Sequence, residues 1–453
     1  MGHITLGQAA RWCGGQINEK YADVTFFGAN NDTRKLEQGQ LFVALQGARD
    51  GHEFIGAAME KGAAAVLCSR CEADIPAIIV PDPRRALGDI ARQERKRIGM
   101  KVVAVTGSVG KSTTKEMIAC VLERSFRVGK TPANFNNDIG MPMSILAMPE
   151  NTQVGVLEMG MNHFREIAYL TSIAQPDVAV ITNIGTMHIE HLGSMEGILR
   201  AKLEILEGMC EDGKVILNGD DPMLWRQNNL SPLRPVYFGV CNNGASVRGS
   251  AVEQEPGLLR FNVTTRSLTF PVELSLDGDH FVLDALAAVT VGVEMGMNPA
   301  KIQEALSQFR NMAGRQEIIE TKGCTIIRDC YNAGPESMAA ALAVLGNRSG
   351  RRIAVLGDML ELGVCTQAEH YRIGRIAAEK ADVILAYGPS STRVINGAIT
   401  GGMKESRAMA FDDRMKLADT LRRIAKPGDV ILVKGSRGMH MELVLDRFLE
   451  DDE

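Results

Sequence analysis

The chain has 453 residues, 45% of them hydrophobic, and 50 Lys and Arg against 55 Asp and Glu give a formal net charge of −5. That length suits about three domains, and the interspersed charge excludes the long basic tract of a nucleic-acid-binding arm. No apolar run reaches the roughly 18 residues of a membrane span. The start, MGHITLGQAARWCGG, has no basic stretch leading into an apolar core, so no signal peptide is expected. Leu6 stands where a myristoylation signal carries Ser or Thr. Nine scattered cysteines, an odd number, fit a reducing compartment, and a cytoplasmic location is expected. Cys68 and Cys71 have C-x-x-C spacing without a second pair or matching histidines, and they read as ordinary thiols.

In chain order, residues 1–99 alternate short apolar runs (LFVAL, AAAVLC, AIIV) with helical stretches. They close in the charged helix RRALGDIARQERKRIGM, and together predict a small α/β domain. Residues 100–312 begin with VVAVTGSVGKSTTKEM and continue with VGVLEMG, DVAVITNIG and KVILNGDD. Such unbroken Val, Ile and Leu runs suit strands of a parallel sheet covered on both faces. From about 245 to 276 the segments shorten and alternate, which predicts antiparallel strands. Helices are expected over FVLDALAAVTVGVEM and near 299–309, and NMAGRQE (311–317) reads as a linker. In residues 313–453, CTIIRD, RRIAVLGD, ADVILAYG and DVILVKGS alternate with helical patterns, which predicts a Rossmann-like, doubly wound domain. The expected fold class is α/β in three domains: a small α/β unit, a central P-loop unit on a mostly parallel sheet, and the Rossmann-like unit.

The segment TGSVGKST covers Thr106, Gly107, Ser108, Val109, Gly110, Lys111, Ser112 and Thr113. A strand running into a Gly-rich turn and then a helix aims backbone N–H groups and the positive helix end at a phosphate. Lys111 reaches the outer phosphates and Ser112 offers a hydroxyl to Mg²⁺. The full eight-residue pattern is broken at Val105, which stands in place of the first glycine. Ligands of open α/β sheets lie beyond the carboxyl ends of strands. Glu158 ends one predicted strand and His188 follows another, so both can face the same crevice and complete a metal shell with Ser112. His188 and His191 in HIEH have a spacing that zinc could use, but no HExxH order or third ligand accompanies them. The loop TPANFNNDIGMP gathers Asn134, Asn136, Asn137 and Asp138. It reads equally as a turn-rich connection or as amides lining a polar ligand channel.

Taken together, the motifs resemble the Mur ligases of peptidoglycan synthesis over essentially the whole chain. NDTRKLEQGQLFVALQGARDGHEF is similar to that family's N-terminal UDP-substrate signature, and TGSVGKST to its shortened phosphate loop. NFNNDIGMP, LEMGMN, TNIGTMHIEHLGS, AKLEI, DCYNAGPESM, GDMLELG and VKGSRGMHME resemble further family signatures. The resemblance implies an ATP-dependent, amide-forming ligase that acts through an acyl phosphate. GDMLELG points to the member whose substrates are UDP-N-acetylmuramoyl-tripeptide and D-alanyl-D-alanine.

The first domain is then expected to hold the UDP substrate through Asp32, Thr33 and Arg34, with Asn136 and Asn137. ATP is expected on the phosphate loop, His280, Asp284, Arg315, Asp329 and Tyr331. Lys111, Lys202, Arg315 and His188 are the expected catalytic residues. Mg²⁺ is expected on Ser112, Glu158, His188 and a carbamate on Lys202. Lys434, Ser436 and Arg437 also fall in a family signature, with no role assigned. A monomer with small-molecule substrates and no nucleic-acid partner is expected. Three positions depart from the family pattern: Phe281 and Asp284 replace asparagines, and Gly334 replaces another. Asp284 can accept from an adenine amine but cannot donate, which puts base contacts there in doubt. The related ligase that adds the third amino acid carries D-N-P-R, whereas this chain has only DDRM at 412–415. A nucleotide-dependent switch of the GTPase kind needs N-K-x-D, which does not occur.

Overall fold

The computed structural model describes residues 4–230 and 232–450. The Met1-Gly2 start lies outside them. Strands Ala29–Asn30, Leu41–Val43, Ala65–Cys68 and Ala77–Ile79 form a parallel four-stranded sheet, beside a small antiparallel pair, Ile4–Thr5 with Thr25–Phe26. Helix Pro83–Ile98 then leads into the central unit. It starts on a proline capped by Asp82 and stops at Gly99 in the left-handed conformation. Its Leu87 and Ile90 share one continuous core with Phe26 and Leu41 before it, and with Val102, Leu157 and Ile167 after it. The first and central units are therefore packed together and not merely tethered.

The central sheet has nine strands. Seven run parallel in the order Val128–Lys130, Val154–Glu158, Lys101–Thr106, Val178–Ile181, Lys214–Asn218, Pro235–Gly239 and Val247–Glu255. Leu258–Thr264 and Thr269–Leu274 complete it in antiparallel fashion, as the alternating pattern foretold. Successive side chains go to opposite faces. Val102 and Ala104 enter the core shared with the first unit, while Val103 and Val105 face helices Lys111–Leu122 and His280–Glu294. Each fully buried Val, Leu or Ile contributes about 1.5–3 kcal/mol, which explains why these strands are apolar on both faces.

The third unit carries six strands in the order Glu317–Thr321, Cys324–Asp329, Val430–Lys434, Arg352–Gly357, Val383–Tyr387 and Ala408–Phe411. Only the first pair is antiparallel. Ile327, Ala354, Ile384 and Leu432 face one core, and Ile326, Ile353, Leu385 and Ile431 face another. Helices thus cover both faces, as in a doubly wound sheet. The sequence reading found the four inner strands. It missed the two edges, Glu317–Thr321 and Ala408–Phe411, whose mixed exposure breaks the apolar run that marks a buried strand. Among the described residues no helix is long and apolar enough to cross a membrane.

Candidate active site

Strand Lys101–Thr106 delivers its chain end to the loop at 107–110, and helix Lys111–Leu122 begins at once. No side chain caps that helix, and Gly110 holds a left-handed φ of 83°. A Cβ on Gly110 would lie 2.6 Å from Asp284 Oδ1, so glycine is required for space as well as conformation. The loop is tied to the segment after the neighbouring strand. Val109 N–H donates to Asn183 Oδ1 (3.0 Å), and Thr182 Oγ1 donates to Val109 O (2.6 Å). Thr106 Oγ1 donates to Met159 O (2.9 Å), which binds it to the other neighbouring strand. A loop fixed from both sides keeps its shape without having to reorganise.

Beyond these strand ends lies a cavity of about 510 Å³. Lys111 lines it, with Nζ donating to Gly107 O (2.8 Å) and Ser108 O (3.2 Å). Burial lowers its pKa, Glu158 opposes that, and Arg315 adds to it. Glu158 is 2% exposed. Its Oε1 accepts from Asn136 Nδ2 (2.8 Å), while its buried Oε2 has no hydrogen-bond partner. The nearest cation to that oxygen is Lys115 Nζ, at 3.8 Å. Arg315, carried by the third unit, crosses to the phosphate loop: Nη2 donates to Ser112 Oγ (2.8 Å), and the guanidinium stacks 4.0 Å from the Tyr331 ring centre. Asp329 accepts from Lys434 Nζ (2.6 Å) and lines the same cavity. His280 begins helix His280–Glu294, and burial pushes its pKa down to about 4, so it is neutral at pH 7.

The other residues singled out by sequence occupy varied settings. Asn136 and Asn137, expected beside the UDP substrate, line the cavity with Glu158, whereas Asp32, Thr33 and Arg34 lie outside its lining. Those three form a turn in which Asp32 accepts from Arg34 N–H, Nε and Nη2, and the Arg34 side chain is 85% exposed. The Arg34 guanidinium holds the Asp32 pKa down at about 2. Asp284 faces the phosphate loop, accepting from Thr114 Oγ1 (2.6 Å), and burial pushes its pKa up to about 7. Phe281 is a core residue. At Gly334 a Cβ would come within 2.8 Å of Met187 Cγ, which accounts for glycine there.

His188 lines the cavity at a left-handed φ of 63°, ahead of helix Ile189–Leu192. Lys202 lies on helix Met195–Leu203, is 2% exposed, and has no carboxylate within ion-pair distance among the described residues. Burial, with Lys111 adding to it, drives its pKa well below that of an ordinary lysine. Among the described residues no three His, Cys, Asp or Glu side chains converge as a ready-made metal cage. Magnesium does not need one: it takes one or two carboxylates, hydroxyls, water and substrate phosphates. The unpartnered Glu158 Oε2 and Ser112, which line the same cavity, have that chemistry. Ser436 donates to Ala333 O (3.0 Å) and Arg437 pairs with Glu442 (3.1 Å), both outside the cavity lining. The nine cysteines are free thiols, and burial pushes Cys68 up to about 12.

Sequence reasoning passed over Lys115, Asn183 and Glu336. Lys115 is fully buried, donates to Thr131 O (2.7 Å) and lies 3.0 Å from Glu116 Oε1. Its signal was a lysine one turn after Lys111, on a helix otherwise buried along that face. Glu336 reads as an ordinary acid in a helix first turn, and only the tertiary fold shows it lining the cavity.

Three family models match this chain: the Mur ligase family catalytic domain over residues 26–95, the Mur ligase middle domain over 105–292, and the Mur ligase glutamate ligase domain over 314–437. A UDP-N-acetylmuramoyl-tripeptide–D-alanyl-D-alanine ligase from Bacillus subtilis is 40% identical, over 96% of this chain and 95% of the relative. A MurF crystal structure from Acinetobacter baumannii superposes with a TM-score of 0.91 at 32% identity, covering 100% of both chains. A MurF ligase from Thermotoga maritima, in complex with ADP, gives 0.82 at 30% identity over 93% of this chain and 97% of that one.

Proposed function

The chain belongs to the Mur ligase family, and from that premise we propose that it joins D-alanyl-D-alanine to UDP-N-acetylmuramoyl-tripeptide with consumption of ATP, in peptidoglycan precursor synthesis. The observation that carries this reading is the convergence of Lys111, Glu158 and Arg315 on one cavity, in a chain that matches ligases of this activity end to end. The terminal carboxylate of the tripeptide attacks the γ-phosphorus of ATP, releasing ADP and forming an acyl phosphate. The amine of D-alanyl-D-alanine then attacks that carbonyl, the amide forms, and phosphate leaves with the bonding electrons.

Both reactants of the first step are anions, so positioning and charge neutralisation dominate catalysis. Residues 100–312 bind ATP, residues 1–99 the UDP substrate, and residues 313–453 bring the remaining nucleotide contacts and the arginine. Loop N–H groups and Lys111 hold the outer phosphates. Arg315, steadied by Tyr331, adds a second fixed cation against the phosphoryl group being transferred. Asp329, Tyr331 and His280, which line the cavity, would meet the nucleoside. Ser112 and Glu158 would hold one magnesium ion, and His188 with a carbamate on Lys202 would hold a second. When bound, these ions neutralise phosphate and carboxylate oxygens. A pKa lowered by burial favours the neutral amine, the form able to add to carbon dioxide, and the carbamate would replace a cation that repels magnesium with an anionic oxygen ligand. Asp32, Thr33 and Arg34 contact the UDP portion. The protein works as a cytoplasmic monomer.

The test is to incubate the protein with ATP, Mg²⁺, D-alanyl-D-alanine and the tripeptide nucleotide carrying either lysine or diaminopimelate, and to read product mass. A pentapeptide nucleotide is expected, with phosphate release that requires the dipeptide. Phosphate release without the dipeptide, and no pentapeptide product, would make the chain a nucleotide-driven switch instead.

A further inference from the structure

Helix Pro335–Gly346 of the third unit touches the central unit at both ends, and one of those contacts is unused by the chemistry above. Just past its last turn, Arg348 pairs with Asp277, whose Oδ1 accepts from Gly257 N–H (2.6 Å). In its first turn, Glu336 Oε1 accepts from Thr186 N–H (3.0 Å) and from Thr186 Oγ1 (3.1 Å). Gly185 makes room for that carboxyl group: a Cβ there would lie 2.9–3.2 Å from its atoms. Glu336 Oε2 is buried without a hydrogen-bond partner among the described residues, so the side chain holds the central unit through one oxygen.

Thr186 directly follows the segment that holds the phosphate loop. Ser108 N–H donates to Asn183 O (3.1 Å), and Val109 N–H donates to Asn183 Oδ1 (3.0 Å). Gly185 N–H donates to Ser108 Oγ (2.8 Å), which donates back to Gly185 O (3.1 Å). Thr182 Oγ1 and Asn183 Nδ2 both donate to Val109 O, at 2.6 and 3.1 Å. Residues 182–185 and the loop can therefore shift only together, and the next residue along is the one that Glu336 fixes. An unbroken string of hydrogen bonds runs from Ser108 and Val109, through this segment, to an acid of the third unit.

We infer that Glu336 is a positioning residue for the phosphate loop: with the third unit docked, its Oε1 fixes Thr186 and, through residues 182–185, sets Ser108 and Val109 against the phosphates of a bound nucleotide. Donors held in place before the reaction stabilise its charge without reorganising. A displacement of about 1 Å that starts far from the reacting atoms is enough to cost as much as about 10²-fold in rate. Because Glu336 belongs to the third unit, the loop has this support only in the docked arrangement. The inference rests on the reading of the loop as the ATP phosphate site, while its structural half can be tested without nucleotide or turnover.

The test is amide hydrogen exchange on the full chain, read by mass spectrometry over peptides that cover 106–110 and 182–187. The amides of Ser108, Val109, Gly185 and Thr186 are all donors in the string, so both peptides report on it directly. Glu336→Ala should speed exchange in both by about 10-fold, and Glu336→Gln, whose amide oxygen still accepts from Thr186, should largely restore the parental rates. In turnover, Glu336→Ala should lower kcat by about 10-fold with the KM for the UDP substrate within about twofold, and Glu336→Gln should recover most of kcat. Faster exchange at 182–187 with none at 106–110 overturns the inference, because the string then ends at Thr186. Acceleration spread evenly over the chain, a Gln variant no better than Ala, or parental kcat in Glu336→Ala overturns it as well. A parent with the expected exchange pattern that makes no pentapeptide product defeats the ligase reading alone. A productive parent whose loop exchange ignores Glu336 defeats this inference alone.

Discussion

Two lysines, Lys202 beside the phosphate loop and Lys434 at the strand ends of the third unit, are equally buried at 2% exposure, yet their surroundings differ. Lys434 donates to Asp329 (2.6 Å) and to Asn332 O (3.0 Å), so a carboxylate and a carbonyl answer its charge. Lys202 has no such acid and sits close enough to Lys111 to be repelled by it. Burying an unpaired ammonium is costly, so burial and then Lys111 both press Lys202 toward its neutral form. The comparison separates a buried lysine whose charge is answered by an acid from one whose charge is not. Residue type and burial alone do not tell them apart.

The largest effect that tests this contrast is on Lys111, the lysine proposed to answer substrate charge. Lys111→Ala should lower product formation by at least about 10³-fold, read as pentapeptide mass per unit time, because nothing else on the loop carries a positive charge to the outer phosphates. Parental turnover would remove the phosphate-loop assignment. Next is Lys202→Ala, expected to lose about 10²-fold and to regain part of it with added formate or acetate. A fully active variant would end the carbamate role and leave Lys202 as a merely tolerated buried amine.

Lys434→Met addresses the other half of the contrast. It leaves Asp329 buried without its cation and should cost roughly 3–5 kcal/mol of stability, read as a lower urea midpoint. If the midpoint stays put, the two lysines are not as different as their partners suggest. The smallest effect concerns an acid in the same predicament as Lys202. Asp284 has its pKa raised from 3.8 to about 7 by burial. The folded state therefore keeps a proton that the unfolded chain has lost between those values, and stability falls as pH rises from about 4 to about 7. Asp284→Asn retains an oxygen for Thr114 and removes this slope. The variant should gain roughly 1–3 kcal/mol over the parent at pH 8 and little at pH 4. Parallel pH profiles of urea midpoints for the two proteins would contradict the account.

How much could be read from sequence follows the same division between local and distant partners. The phosphate loop was legible because its chemistry is contiguous: strand, turn, lysine, serine and helix succeed one another from Lys101 to Leu122. The inner strands were legible because burial on both faces leaves unbroken apolar runs, as in Val430–Lys434. What lay hidden depends on meetings between residues far apart in the chain. Arg315 reaches Ser112, Glu336 reaches Thr186 and Glu361 reaches His188, and no spacing rule encodes such pairs. The Asn136–Glu158 contact was missed for the same reason, and Asn136 was grouped with Asp32 only as a residue for the UDP substrate.

The most direct test of the account is to follow oxygen. Tripeptide nucleotide with ¹⁸O in its terminal carboxylate, turned over with ATP and D-alanyl-D-alanine, should yield inorganic phosphate carrying one ¹⁸O, seen as an isotope-shifted ³¹P resonance. Amide product accompanied by phosphate free of the label would contradict an acyl phosphate formed beside Lys111.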